Sequence, residues 1–561
     1  MRATNMKNAI SNKSILLALV AVALLLAPAA FAAAPGITGP TFNLTAQPAY
    51  ISQPDGQMVY SWGYGCAGAP AGFNPPVSKM SAANCPSMQV PGPTLIVNEG
   101  DTVTVNLTNN LPPAAGNTSI LFPGFTLTSV CPPAQQGLLT CEAPPNGTVT
   151  YTFVAQTPGT RAYYSGTQGD LQVEMGLYGA IIVLPANVPA ACNGGLHAQN
   201  QAAQAAWHET DFRLAHAAYD NANTCYDREY LFQFAEMDPN IHAQALAQVN
   251  AANCTPLSGG ALPATCKLDV PTEPYHPSYF LINGRSMPDD MDPNYAPQYP
   301  HQPYNGNPHV HPGEQVLLRI IGQGRWQHPF HEHANHVRIL GRDGNLILTP
   351  DGQMLAGPAL FTTSTTPGLA MDGIFYFTGR GLNWDMYGHN PASPDANAKL
   401  SCTPDANGYN TGFAATDTSF SAPNTAVAAA INYYEWCQDH NKPLQVHPFG
   451  DVGAGGPVTL PDSNILTNGA WFGGSPYLGP DATTRATGCS SDPYVSANGC
   501  GGSGTTPPSG TIANTPSSEA AFAYMWHSHN EREITTNNIF PGGMMMMLLV
   551  DSREFVIDEQ N

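Results

Sequence analysis

Charge is scarce in this 561-residue chain: only 11% of its residues are Asp, Glu, Lys or Arg. Basic residues are scarcer still, 19 against 40 acidic ones, for a net charge of −21. Nucleic acid and anionic membranes are held by cationic patches, so this balance speaks against both as partners. Past the N-terminus no apolar run approaches the roughly 20 residues needed to cross a bilayer. No two cysteines have C-x-x-C spacing, which argues against a thiolate zinc site or a redox dithiol. A G-x-S-x-G elbow, a phosphate-binding loop and an H-E-x-x-H helix are also missing, so the commonest hydrolase chemistries find no support.

What is present points to an exported β protein. Residues 1–32 have the layout of a secretory signal peptide, with Arg2, Lys7 and Lys13 ahead of an apolar stretch from Ile15 to Ala27. Ala30-Phe31-Ala32 then fits a small-x-small cleavage site, which implies a periplasmic or extracellular protein. Twelve cysteines suit that compartment and fall as sequence neighbours, so six local disulfides is the plain reading, with connectivity open. Gly (54) and Pro (53) are abundant, which favours many short strands joined by turns over helices.

The strands repeat. Residues 37–188 read as one β unit: Val103, Val105 and Leu107 alternate with polar neighbours after the turn Glu99-Gly100-Asp101. Residues 189–227 read as an Ala/Gln-rich helical linker between Cys192 and Cys225, with surface histidines at 197, 208 and 216. Residues 228–555 read as a second β unit in which Gly313–Ile320 echoes Gly100–Leu107 and Pro541–Val550 echoes Gly176–Val183. The expected fold is therefore all-β, an internal duplication of one β-sandwich. The second copy carries a long insertion rich in Gly, Pro, Ser and Thr at about 388–518.

Chemistry concentrates in two short stretches. His328-Pro329-Phe330-His331-Glu332-His333 places His331 and His333 on one face of a strand and Glu332 on the other. His527-Ser528-His529 repeats that spacing far downstream. Two strands that each present two imidazoles can converge on a metal ion; copper is favoured by the order of divalent affinities, with zinc as competitor. His309, His311 and His336 are candidates to extend such a site, and Glu531 and Glu533 to orient its rings. Met544–Met547 offers soft thioethers, though core packing is the plainer role for them.

These stretches resemble the multicopper oxidase family, built of cupredoxin β-sandwiches. His328 to His333 resembles its H-P-x-H-x-H element, and Trp526-His527-Ser528-His529 with Gly542-Gly543-Met544 resembles its H-C-H…G-M element. Pro91 to Pro112 and Gly159 to Leu184 resemble the family's first domain. The resemblance implies two cupredoxin-like Greek-key sandwiches. It also implies that His331, His333, His527 and His529 are cluster copper ligands and that His328 is a type-1 copper ligand. Departures limit this. Ser528 stands where the family has the type-1 cysteine, and Glu533 where it has the second type-1 histidine. In the first domain, Leu121-Phe122-Pro123-Gly124 replaces H-W-H-G, and Tyr163-Tyr164-Ser165-Gly166 replaces Y-H-S-H.

Half a site remains, with room for one or two copper ions rather than four. Two functions stay open: a copper-dependent oxidoreductase with a non-blue centre, acting on a small electron donor or metal ion, and a non-catalytic copper-binding or surface-assembly protein. Strand-paired histidines at all four second-domain positions favour the first. Related two-domain proteins form trimers, so the resemblance also implies a homo-oligomer.

Overall fold

The computed structural model describes residues 34–377 except 81, 207 and 208, together with 379, 406, 474–477, 521–551 and 557. Residues 1–32, expected to be a signal peptide, and nearly all of the 388–518 insertion, including Cys402, Cys437, Cys489 and Cys500, lie outside the described residues.

The strands form two sandwiches. In the first, β1 (Gly36–Thr38), β4 (Phe73–Asn74), β5 (Leu95–Asn98), β8 (Gly159–Tyr164) and β9 (Tyr178–Leu184) make one sheet in the order β4-β1-β5-β9-β8. It faces β3-β2-β6-β7, made by β2 (Thr41–Ser52), β3 (Met58–Cys66), β6 (Thr102–Asn109) and β7 (Thr148–Val154). The alternation expected for β6 is observed: Val103, Val105 and Leu107 are buried in the core and Thr102 is exposed.

The second sandwich repeats this wiring. One sheet contains β10 (Arg228–Met237), β11 (Tyr279–Ile282), β13 (Gln315–Gly322), β15 (Val337–Arg342), β16 (Asn345–Leu346), β17 (Ala359–Leu360) and β19 (Ala370–Tyr376). The other contains β12 (His309–Val310), β14 (His328–Glu332), β18 (Thr362–Thr365), β20 (Gly474–Tyr477), β21 (Ala521–Ser528) and β22 (Met545–Asp551). β6 lies parallel to β2 and antiparallel to β7, and β13 lies parallel to β10 and antiparallel to β19. Each is entered through a left-handed glycine, Gly100 at φ 89° and Gly313 at φ 82°, a conformation open to glycine without steric cost. The duplication is thus one of topology as well as of sequence.

β10 is buried along its whole length because both of its faces are covered. Its outer face joins the two sandwiches, where Ile96, Ile182, Leu231 and Ile321 share one apolar cluster. Polar groups bridge the same seam: Asp372 accepts from Tyr219 Oη at 2.7 Å and from Thr160 Oγ1 at 2.6 Å.

Among the described residues, two helices of twelve and thirteen residues break the β pattern. α1 (Gly195–Ala206) lies in the linker, which is closed by the Cys192–Cys225 disulfide. α2 (Pro239–Ala251) has local start signals, Pro239 at its first turn and an Asp238 carboxylate accepting from Asn240 N at 2.9 Å. Cys66–Cys85, Cys131–Cys141 and Cys254–Cys266 pair as sequence neighbours too. No helix of the described residues is long and apolar enough to cross a membrane.

Candidate metal centre

Cross-strand register builds the site. β14 pairs with β21 so that His331 lies opposite His527, and with β18 so that His331 also lies opposite Thr362. Directly opposed residues share a face, which sets both rings side by side. His333 and His529 follow as each strand ends. The result is a knot of four imidazoles: ring centroids of His331 lie 4.8 Å from His333, 5.5 Å from His527 and 4.7 Å from His529. Nitrogens of His331, His333 and His527 all fall within 4.8 Å of one another.

His527 Nδ1 donates to Ser528 O at 2.7 Å, which leaves the Nε2 lone pair directed at His333 Nε2, 3.3 Å away. Two nitrogens bound to one tetrahedral ion at about 2.0–2.1 Å would be about 3.3 Å apart. His331 Nδ1 shares a hydrogen bond with Thr362 Oγ1 at 2.7 Å. Burial, reinforced by the three neighbouring rings, pushes His331 down to about 4 and so keeps it neutral. Burial lowers His527 as well. The donors are imidazole nitrogens, and the set fits a copper ion.

Glu332 faces away, as strand alternation requires, into the sandwich core. Burial pushes its carboxyl up to about 8, and Thr363 Oγ1 donates to Oε1 at 2.7 Å. Thr362 has no motif around it to mark it as a partner of His331.

His328 is not brought to this knot. It is fully buried, with Nδ1 2.9 Å from Glu533 Oε2 and Nε2 2.9 Å from Glu236 Oε2. Burial disfavours the charged ring, but hydrogen bonds to Glu236 and Glu533 outweigh it and raise His328 to about 9. A protonated imidazole has no lone pair for a metal. Ser528 Oγ also donates to Glu533 Oε2, and Asn530 Nδ2 to Glu533 Oε1 at 2.9 Å. The place of the type-1 copper is therefore filled by a Glu–His–Glu triad, and the residues there do not fit that ion.

The other candidates lie elsewhere. β12 pairs with the far end of β22, His309 opposite Leu549, whereas His527 lies opposite Met545. His309 Nδ1 meets Asp551 Oδ2 at 2.7 Å. His311 joins Glu209 and Glu314 in a second buried group, but Arg228 occupies it, with Nε 2.8 Å from Glu314 Oε2 and Nη2 on Glu209. A guanidinium already supplies the cation there. His336 meets Phe361 edge to face, with ring centroids 5.1 Å apart. Met544 and Met546 are core residues. His197 meets Asp227 and His216 meets Asn193, while His208 lies outside the described residues.

In the first sandwich the corresponding strand positions hold no histidine. Leu121 bridges Tyr164 as His331 pairs with His527. Tyr163 is buried and donates to Pro93 O at 2.7 Å. Tyr164, Gly166 and Leu121 line a cavity with Gly324 and Pro367, beyond the Thr365 end of β18 and away from Thr362.

Residues 77–188 match the family model described as multicopper oxidase. The L-ascorbate oxidase of Brassica rapa subsp. pekinensis is 38% identical over 96 residues, 17% of this chain and 16% of that protein. The iron transport multicopper oxidase fetC of Epichloe festucae is 38% identical over 96 residues, 17% of this chain and 14% of that protein. The aligned part thus spans less than a fifth of the curated relatives. Among solved structures, the blue copper oxidase from Nitrosomonas europaea aligns with 91% of this chain and 85% of that one, at 14% identity and a TM-score of 0.41. Over residues 77–188, a fifth of the chain, the sequence is thus similar to a multicopper oxidase domain.

Proposed function

We propose that this is an exported copper-dependent oxidoreductase whose metal centre is non-blue, mono- or dinuclear, and held by His331, His333, His527 and His529. The convergence of four imidazoles from two paired strands carries the reading. Four disulfides among the described residues suit an oxidising compartment. Copper bound there would supply one-electron redox chemistry toward a small donor or a metal ion. The chain's own part is to fix the rings: Ser528 O selects the His527 tautomer, and Thr362 Oγ1 orients His331. The Glu236–His328–Glu533 triad leaves no thiolate path for electrons, which distinguishes this centre from a blue oxidase.

Metal analysis of copper-loaded mature protein, with its EPR and visible spectra, tests this directly. One or two coppers per chain without an intense blue band are expected. Removing a ligand should cost more than the roughly 10–100-fold lost with an orienting partner. His331→Ala/His527→Ala should therefore lose stoichiometric copper while keeping the wild-type far-UV circular dichroism. Wild-type protein that takes up no stoichiometric copper would sink the proposal.

A further inference from the structure

The run Met544–Met547 splits across its strand. Met544 and Met546 belong to the sandwich core, together with Tyr524 and Trp526. Alternation therefore sends Met545 and Met547 to the opposite face of β22. That face carries the imidazole knot: His527 lies opposite Met545, and Met525 lies opposite Met547. Two successive rungs on one face of the sheet thus hold three thioethers and one imidazole. His331 follows His527 on the next strand, β14. Directly opposed side chains stand about 4.5–5.5 Å apart at Cβ.

Packing accounts for part of this patch, since Met547 lies against Ala523 and Leu549. The donor chemistry goes further. Thioether sulfur is a soft, uncharged ligand that suits Cu(I). Methionine is also unbranched, with three rotatable bonds, so each sulfur can turn toward a common point between the rungs. Met545 is buried, and Met525 and Met547 are partly so. Uncharged donors in such a place accommodate one positive charge more readily than two, because the cost of burying charge rises with its size.

We propose that Met525, Met545 and Met547 hold a Cu(I) ion beside the knot, and that the ion passes from there to the imidazoles without changing its oxidation state. The passage rests on the copper reading above; the thioether site does not.

Anaerobic titration of the full chain with Cu(I), against bicinchoninate as a coloured competitor, separates the two. In His331→Ala/His527→Ala the knot is disabled, and one Cu(I) per chain should still be held, with sulfur neighbours in its X-ray absorption spectrum. Adding Met525→Leu/Met545→Leu/Met547→Leu should abolish that binding. Leucine conserves the volume, so far-UV circular dichroism should stay that of the parent. With the histidines intact, the methionine variant should take up Cu(II) as the wild type does but fill more slowly from Cu(I). A histidine variant that holds no Cu(I), or one whose Cu(I) survives loss of the methionines, overturns the site. Equal filling rates from Cu(I) overturn only the passage. Thioether-bound Cu(I) in a protein whose knot takes up no copper upholds the site and overturns the copper reading.

Discussion

Ser528→Cys/Glu533→His should turn the copper-loaded protein intensely blue. His328 Nδ1 and Ser528 Oγ already converge on one oxygen, Glu533 Oε2. The double substitution puts a thiolate and a second imidazole around that point and removes the carboxylate that holds Nδ1. Met544, fully buried three residues past Pro541, stands in the family's G-M position. Glu236 stays on Nε2, where it orients the ring without blocking Nδ1. Ser528→Cys alone should remain colourless, because Glu533 still holds His328 protonated. Visible and EPR spectra of the two variants decide the matter; a blue single variant, or a colourless double one, contradicts this account of the triad.

Breaking the triad should be the costliest single change for stability. Removing one partner of a buried ion pair typically costs about 3–5 kcal/mol. Glu236→Ala also strands the backbone N–H groups of Arg325 and Trp326, which donate to Oε1 at 2.7 and 2.8 Å. Urea unfolding of the metal-free protein should show the loss as a lower midpoint at an unchanged slope. The triad carries a pH signature as well. His328 is raised from 6.5 to about 9, so its contribution is complete below pH 6.5 and fades as pH climbs through about 9. Wild-type stability should therefore fall between those values. The fall should flatten in Glu236→Gln, where one of the two carboxylates that raise His328 is gone, and an equally steep fall there would contradict the assignment.

The four imidazoles were legible because strand alternation is local: H-x-H puts both rings on one face wherever the strand lies. Their meeting was legible only through the family resemblance, since nothing in the spacing pairs residue 331 with residue 527. The fate of His328 was not legible. Glu236 sits 92 residues upstream on a strand whose neighbours are all buried, and no local pattern marks it as a partner. His309 and His311 share the strand spacing of the true knot, but β12 pairs at the wrong end of β22. Alternation gives the face of a strand and leaves its position along the sheet undetermined. The helix Pro239–Ala251 was readable from Asp238-Pro239 but hidden among β signals.

The pairing of His331 with His527 has a further consequence for how the molecule comes together. These strands are separated by roughly two hundred residues of chain, so a metal held by both sides acts as a clip across a very long loop. Closing such a loop is where a cross-link gains most, because the unfolded chain loses the greatest freedom. Copper should therefore raise the resistance of this protein to unfolding out of proportion to the few contacts it makes. Its binding would also report on that pairing, since neither histidine pair alone presents more than half of the donors.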